Sequence, residues 1–271
     1  MGERVVADPF RPGAFRVMTG PTSQSWVDLN DPKSIDFEYV QRIVEVLGST
    51  VLERPETERI RVVHLGGGGL TLPRYVEAVR PHTAQIVCEP DSALLAEVRQ
   101  KLPLGRRSGI KVREIDGRRG IAAMPDDYTD ALIVDAFEGH SVPADLASVE
   151  FFADTARVLR PEGVLLMNLA DQGPFRWVKR CLAALRACYR HTLLSGEPAV
   201  LKGRRFGNLV VAAADEPLPV ATLTRIAAGA PFPYRMMSGQ EFERWLGGAE
   251  AFTDATATDS PGPASGHAWF S

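Results

Sequence analysis

The sequence is poor in cysteine, with three in 271 residues. An odd, small number in a chain this long excludes a disulfide framework and points to a reducing compartment. There is no apolar run of the ~18 residues that a membrane-spanning helix needs. The opening MGERVVADPF has no apolar stretch of the kind a targeting leader carries, so a cytoplasmic setting is expected. Basic excess is missing too. A formal net charge of −3 argues against a surface built to neutralise nucleic-acid phosphates. The clusters GRR at 105–107 and GRRG at 117–120 read as solvated loops. The five histidines show no metal-ligand spacing, and no metal is expected. No Gly-Lys-Ser/Thr occurs, which excludes a phosphate-cradling loop of the G-x-x-x-x-G-K-[ST] type.

What is present is a regular alternation beginning near residue 60. IRVVHLG (60–66), AQIVCEP (84–90), GIKVREID (109–116), DALIVDAF (130–137) and GVLLMNLAD (163–171) read as buried strands. Helical runs follow near 72–80, 91–102, 145–160 and 174–189. Apolar strands alternating with amphipathic helices imply a parallel sheet covered on both faces. HTLLSG (191–196) and GNLVVAAAD (207–215) lie too close together for a parallel crossover and read as an antiparallel edge hairpin. The expected fold is therefore α/β, with a seven-stranded, Rossmann-like sheet of the nucleoside-binding methyltransferase type. Ahead of it, FRVM (15–18) and SWVDL (25–29) suggest a small β-hairpin, and 35–47 a helix. Three regions are expected: 1–50 as hairpin and helix, 51–253 as the nucleoside-binding domain, and 254–271 as a flexible tail rich in Thr, Ala, Pro, Gly and Ser.

The first turn of the alternation is LGGGG (65–69). A dinucleotide fingerprint G-x-G-x-x-G fails in both registers, because its last position falls on Thr71 or Leu72. Ligands of open α/β sheets sit beyond the carboxyl ends of the strands. Those ends carry Glu89, Asp116, Asp135 with Glu138, and Asp171. Glu89 lies at the distance past the glycines at which an acid accepts from ribose hydroxyls, and Asp116 with Gly117 is placed to accept from an adenine amine. No basic residue stands where a pyrophosphate would need neutralising. An adenosyl group without phosphates, held by Gly66, Gly67, Gly68, Glu89, Asp116 and Gly117, is the expected guest. The alternative is that such acids cap the following helices.

LGGGG (65–69), VCEPD (87–91), REIDGRR (113–119), LIVDAF (132–137) and VLRPEGVLLMN (158–168), in this order, resemble the spermidine synthase (polyamine aminopropyltransferase) family. The resemblance runs from about Gln24 to Asp215. DAFEGHSVPADLASVEFF (135–152) and RRFGNLVVAAAD (204–215) look most like its divergent, bacterial spermidine synthase-like branch. The resemblance implies that Asp135 is the catalytic aspartate, that Glu89 binds the ribose, and that Asp116 and Gly117 bind the adenine. It also implies that Tyr39 lines the amine pocket and that Glu138 stands for the second acid of the family's D-x-x-D. Asp171 is a further candidate wall of that pocket. The donor so implied is decarboxylated S-adenosylmethionine and the acceptor a diamine such as putrescine. Homodimers through the N-terminal region are implied as well, though that region is short here.

One departure bears on chemistry. The family's glycine turn ends in an aspartate that holds the ammonium of the aminopropyl group, and here the position is Gly69. Two other readings therefore stand beside aminopropyl transfer: a methyltransferase using intact S-adenosylmethionine, and a nucleoside-binding homologue without catalysis. The segment 138–146, which contains His140, is expected to form a lid over the site.

Overall fold

The computed structural model describes residues 3–20 and 22–263. Within them, β1 (Val5–Ala7), β2 (Ala14–Thr19) and β3 (Thr22–Asp28) form an antiparallel sheet in that order. The hairpin expected from FRVM and SWVDL is thus β2 and β3, and a short third strand lies beside it. Helix α1 (Glu38–Gly48) follows and buries Tyr39, Val40, Ile43, Val44, Val46 and Leu47 along one stripe.

The main sheet contains β4 (Arg61–Leu65), β5 (Ala84–Cys88), β6 (Ile110–Arg113), β7 (Thr129–Val134), β8 (Leu159–Asp171), β9 (His191–Gly196), β10 (Gly207–Ala214) and β11 (Arg235–Ser238). Its order is β11-β9-β10-β8-β7-β4-β5-β6. Strands β4 to β8 pair in parallel, while β10 runs antiparallel to both β8 and β9. The α/β class and the antiparallel edge are as expected. The strand number is not: the described residues give eight, because Arg235–Ser238 pairs antiparallel with β9 at the edge. Four residues, RMMS, are too few to carry a period that a sequence reading detects.

The helices are α2 (Thr71–Val79), α3 (Ser92–Lys101), α4 (Gly117–Ala122), α5 (Val149–Val158), α6 (Arg176–Cys188), α7 (Pro198–Leu201), α8 (Val220–Gly229) and α9 (Gly239–Leu246). Phe151, Phe152, Val178, Leu182 and Leu185 pack with Leu65, Leu132 and Met167 on one face of the sheet. Ile43, Leu47, Val76 and Leu223 pack with Val62, Ile133 and Leu166 on the other. A third cluster ties the small sheet to α3 through Val5, Val17, Val27, Leu70, Val98 and Leu102. Every residue of β7 is buried, and its ALIV reads as an unbroken apolar run.

The C-terminal stretch departs from the flexible tail assigned to 254–271. Residues 252–260 lie along the segment after β7 and are hydrogen-bonded to it: Val142 N donates to Ser260 Oγ, Ser260 N to Val142 O, and Ala144 N to Asp259 Oδ1, at 2.8 to 3.0 Å. Trp177 Nε1 donates to Thr258 O at 2.7 Å. Small and polar composition here serves close backbone docking. Residues 264–271 lie outside the described residues.

Candidate active site

Strands β4 and β7 lie side by side, while the chain after β4 goes to β5 on the opposite flank. This is the topological switch point, where the loops diverge and leave a crevice. The glycine turn fits into it tightly. Gly66 has φ +89°, and a Cβ there would stand 2.1 Å from Asp135 O, so only glycine lets the two strand ends approach. Gly68 and Leu70 also have positive φ, which sharpens the turn into α2.

A cavity of about 770 Å³ opens at this edge, within the range of small-molecule sites. Gly66, Gly67, Gly68, Glu89, Asp116, Gly117, Tyr39, Asp135 and Glu138 all line it. Asp171 does not. Its carboxylate, on a residue 3% exposed, accepts from Gln172 N and Val178 N at 2.7 and 3.1 Å, fixing the first turn of α6. Burial raises its pKa, against the two backbone hydrogen bonds. The strand-end position was read correctly, but the side chain turns back onto its own following helix and forms no wall of an amine pocket.

Glu89 is buried, with Oε2 accepting from Gly67 N and Oε1 from Asp91 N, both at 2.9 Å. Each oxygen keeps a second lone pair for a ligand hydroxyl. Asp116 caps α4 by accepting from Arg119 N at 2.8 Å, so the helix-cap alternative applies to it, and it still faces the cavity. Asp91 caps α3 through Leu94 N.

Asp135 is the most constrained acid. Asn168 Nδ2 donates to its Oδ1 at 2.9 Å and Tyr39 Oη to its Oδ2 at 3.2 Å. Asn168 is oriented in turn by Asn208 Nδ2, 3.0 Å from its Oδ1. Desolvation raises the Asp135 pKa, while the hydrogen bonds from Asn168 and then Tyr39 oppose the rise. Burial, then the charge of Asp135, holds the Tyr39 hydroxyl well above its ordinary value. The arrangement leaves a fixed carboxylate able to accept a proton beside the glycine turn.

At Gly69 the hairpin has taken the available space. A Cβ would meet Ser25 Oγ and Val27 Cγ2 at 2.9 Å and Val17 Cγ2 at 3.1 Å. Gly69 N donates to Ser25 Oγ at 3.1 Å, Ser25 Oγ lies 2.9 Å from Thr71 Oγ1, and Thr71 Oγ1 donates to Trp26 O at 2.8 Å. The Ser25 hydroxyl and the methyls of Val17 and Val27 stand where a side chain at position 69 would project.

The charge of the walls is lopsided. Glu89, Asp91, Asp116, Asp135, Glu138 and Asp145 give six carboxylates against one guanidinium, Arg4. Arg4 is itself paired with Asp91 at 2.6 Å. Burial and then Asp116 push the Asp145 pKa up, as expected where acids crowd. Among the described residues no group of three or more His, Cys, Asp or Glu is arranged to hold a metal ion, and no helix is long and apolar enough to cross a membrane.

Sequence reasoning missed Asn168, Asn208 and His64. Each interrupts a local apolar run, in VVHL, LLMNLA and NLVVAAA, and that interruption was the signal.

No protein-family model matches the chain. The polyamine aminopropyltransferase of Chromobacterium violaceum is 27% identical over 148 residues, covering 54% of each chain. The match thus spans about half the length of that curated relative. The crystal structure of a probable spermidine synthase from Corynebacterium glutamicum superposes with a TM-score of 0.85 at 26% identity, over 92% of this chain and 91% of that one. Human methyltransferase-like protein 13 in complex with SAH shares the fold, with a TM-score of 0.58 at 19% identity over 78% and 93% of the two chains. The sheet order, the strand-end acids and these likenesses agree, and together they support a spermidine synthase-like family for the chain.

Proposed function

We propose that the protein transfers an aminopropyl group from decarboxylated S-adenosylmethionine to a primary amine. The observation that carries this reading is the acidic wall with Asp135 fixed at the switch point. A donor without a carboxylate suits six acids and a single paired guanidinium, whereas the carboxylate of intact S-adenosylmethionine would meet repulsion. The sharing of that fold by a protein that holds SAH supports an adenosyl guest. Glu89 would take the ribose hydroxyls, Asp116 with Gly117 the adenine, and the glycine turn would let the backbone approach the sulfonium.

A free primary amine has a pKa near that of lysine, about 10.4, and its ammonium cannot attack. Asp135 accepts the proton and orients the nitrogen. The new N–C bond forms as the C–S bond breaks, and its electron pair stays on sulfur, leaving a neutral thioether nucleoside, 5′-methylthioadenosine. Tyr39 and Asn168 hold the carboxylate in line. Glu138 stands at the rim, where an approaching cation would pass. A cytoplasmic setting, with three free cysteines, belongs to the same proposal.

Gly69 favours one second reading. With the neutral Ser25 and two valines in place of an acid there, methyl transfer from intact S-adenosylmethionine is the competing chemistry. Incubation with each donor and a panel of primary amines separates the two. Mass spectrometry should find 5′-methylthioadenosine and an aminopropylated amine from the decarboxylated donor only. S-adenosylhomocysteine formed from the intact donor, with a methylated amine, would overturn the assignment.

A further inference from the structure

Both oxygens of the Asp135 carboxylate are ordered from helix α1, one directly and one through two amides. Tyr39 of α1 donates to Oδ2 at 3.2 Å. Oδ1 accepts from Asn168 Nδ2 at 2.9 Å, and Asn168 Oδ1 accepts from Asn208 Nδ2 at 3.0 Å. One turn along α1 from Tyr39, the buried Arg42 donates to the backbone carbonyl of Asn208 at 3.3 Å.

The sheet brings these groups together. Val134 pairs with Met167 across β7 and β8, so Asn168 stands beside Asp135 where β7 ends. Val210 pairs with Asn168 across β10 and β8, and Asn208, two residues before Val210, lies on the same face. Both asparagines line the cavity. An ionised carboxylate only accepts hydrogen bonds, so the end of the Asn168 amide that meets it must be Nδ2. That leaves Asn168 Oδ1 pointing to β10, where Asn208 meets it with its own Nδ2. The polarity of the first bond therefore fixes that of the second. Asn168 is 2% exposed, and an unmet Oδ1 there would be costly. Turned about, the same amide would set its oxygen against the carboxylate, lone pair against lone pair.

We propose that Asn208 is a positioning residue for the reaction: acting through Asn168, it keeps an N–H rather than a carbonyl oxygen against Asp135. The inference rests on the transfer reading of the Asp135 site and deepens it. Titratable groups face the same cavity from every neighbouring element: Tyr39 of α1, His64 of β4, Glu89 beyond β5, Asp116 beyond β6, and Glu138 and Asp145 beyond β7. Arg42 stands behind Asn208. Substitution at 208 leaves all of them in place, so a change in the Asp135 titration reports on the amide chain.

The test reads that titration directly. In the full chain carrying isotope-labelled aspartate, the carboxyl resonance of Asp135, identified by its loss in Asp135→Asn, is followed against pH by NMR. Asn208→Asp keeps size and shape but offers an acceptor, so two carboxylates compete for one Asn168 donor. The Asp135 pKa should rise by about one unit or more, which is tenfold in its protonation equilibrium. Asn208→Ala, which only releases Asn168, should raise it by a smaller amount. In an Asn168→Ala background the further shift from Asn208→Asp should fall to about half or less, since only charge acting through space remains. A pKa that neither substitution moves, or a shift just as large without Asn168, overturns the inference, and either variant decides if the other fails to fold. The acid limb of aminopropyl transfer should move with the NMR pKa. A shifted pKa with no transfer product keeps the positioning assignment and removes the transfer reading. Product formation with an unmoved pKa does the reverse.

Discussion

Asp135 is the residue on which the proposed chemistry turns. Its carboxylate is desolvated and its pKa lies above the ordinary aspartate value of 3.8, so the acid limb of activity should be displaced upward from there. Asp135→Asn keeps the shape and removes the base. Turnover should fall by ~10²–10⁴, with donor affinity within about twofold, in parallel rate and binding measurements. An unchanged rate would take Asp135 out of the mechanism. His64 has the opposite signature. Its folded pKa of about 4 lies below the usual 6.5, so the unfolded chain binds the extra proton. The stability contributed by neutral His64 is present above pH 6.5 and lost as pH falls through about 4. His64→Leu should flatten that limb by an amount on the order of 3 kcal/mol at most, read from denaturant midpoints at pH 7 and pH 4.5. Equal pH slopes in both proteins would show that the ring is not desolvated. At this scale the acids at strand ends were legible, since position alone marks them. Asp171 was misread because alternation says which end a residue occupies but not whether its side chain turns to the cavity or to the next helix. Asn168 and Asn208 were overlooked because they look like blemishes in apolar strands, and their meaning appears only when β8 and β10 are paired.

Among the elements, the parallel strands were legible because each is buried on both faces and reads as an apolar block. The helices that follow them carry the period of an amphipathic stripe. Short pieces escaped: β1, α4, α7 and β11 have three to six residues, less than two turns or one full alternation. The strap at 252–260 escaped for a different reason, since its backbone does the bonding and its composition resembles a linker. It holds the segment carrying Glu138, His140 and Asp145 against the cavity. Asp254 accepts from the Ser148 hydroxyl and pairs with Arg118 Nη2 at 3.0 Å, so the start of α5 is held by the same strap. Replacing both Asp259 and Ser260 by alanine removes the side-chain acceptors of Ala144 N and Val142 N. Exchange of those two amides should accelerate ~10-fold or more and donor affinity should fall. Unaltered protection at 142 and 144 would mean that the strap is a bystander.

For the whole molecule, the decisive feature is an eight-stranded mixed sheet whose switch point meets a hairpin from the other side. The sequence alternation predicted this sheet one strand short, and the strand-end acids pointed to the edge at which the cavity opens. What could not be read was the relation of distant segments. The hairpin filling the space at Gly69 and the acidic excess of the assembled walls exist only once residues far apart in the chain converge. Donor choice is the property that integrates all of them. Titration calorimetry of the full chain with decarboxylated and intact S-adenosylmethionine, at one salt concentration, measures it directly. The account predicts that the decarboxylated donor binds at least ~10-fold more tightly, and that Glu89→Gln weakens both donors. Equal or tighter binding of the intact donor, or no binding of either, would contradict it.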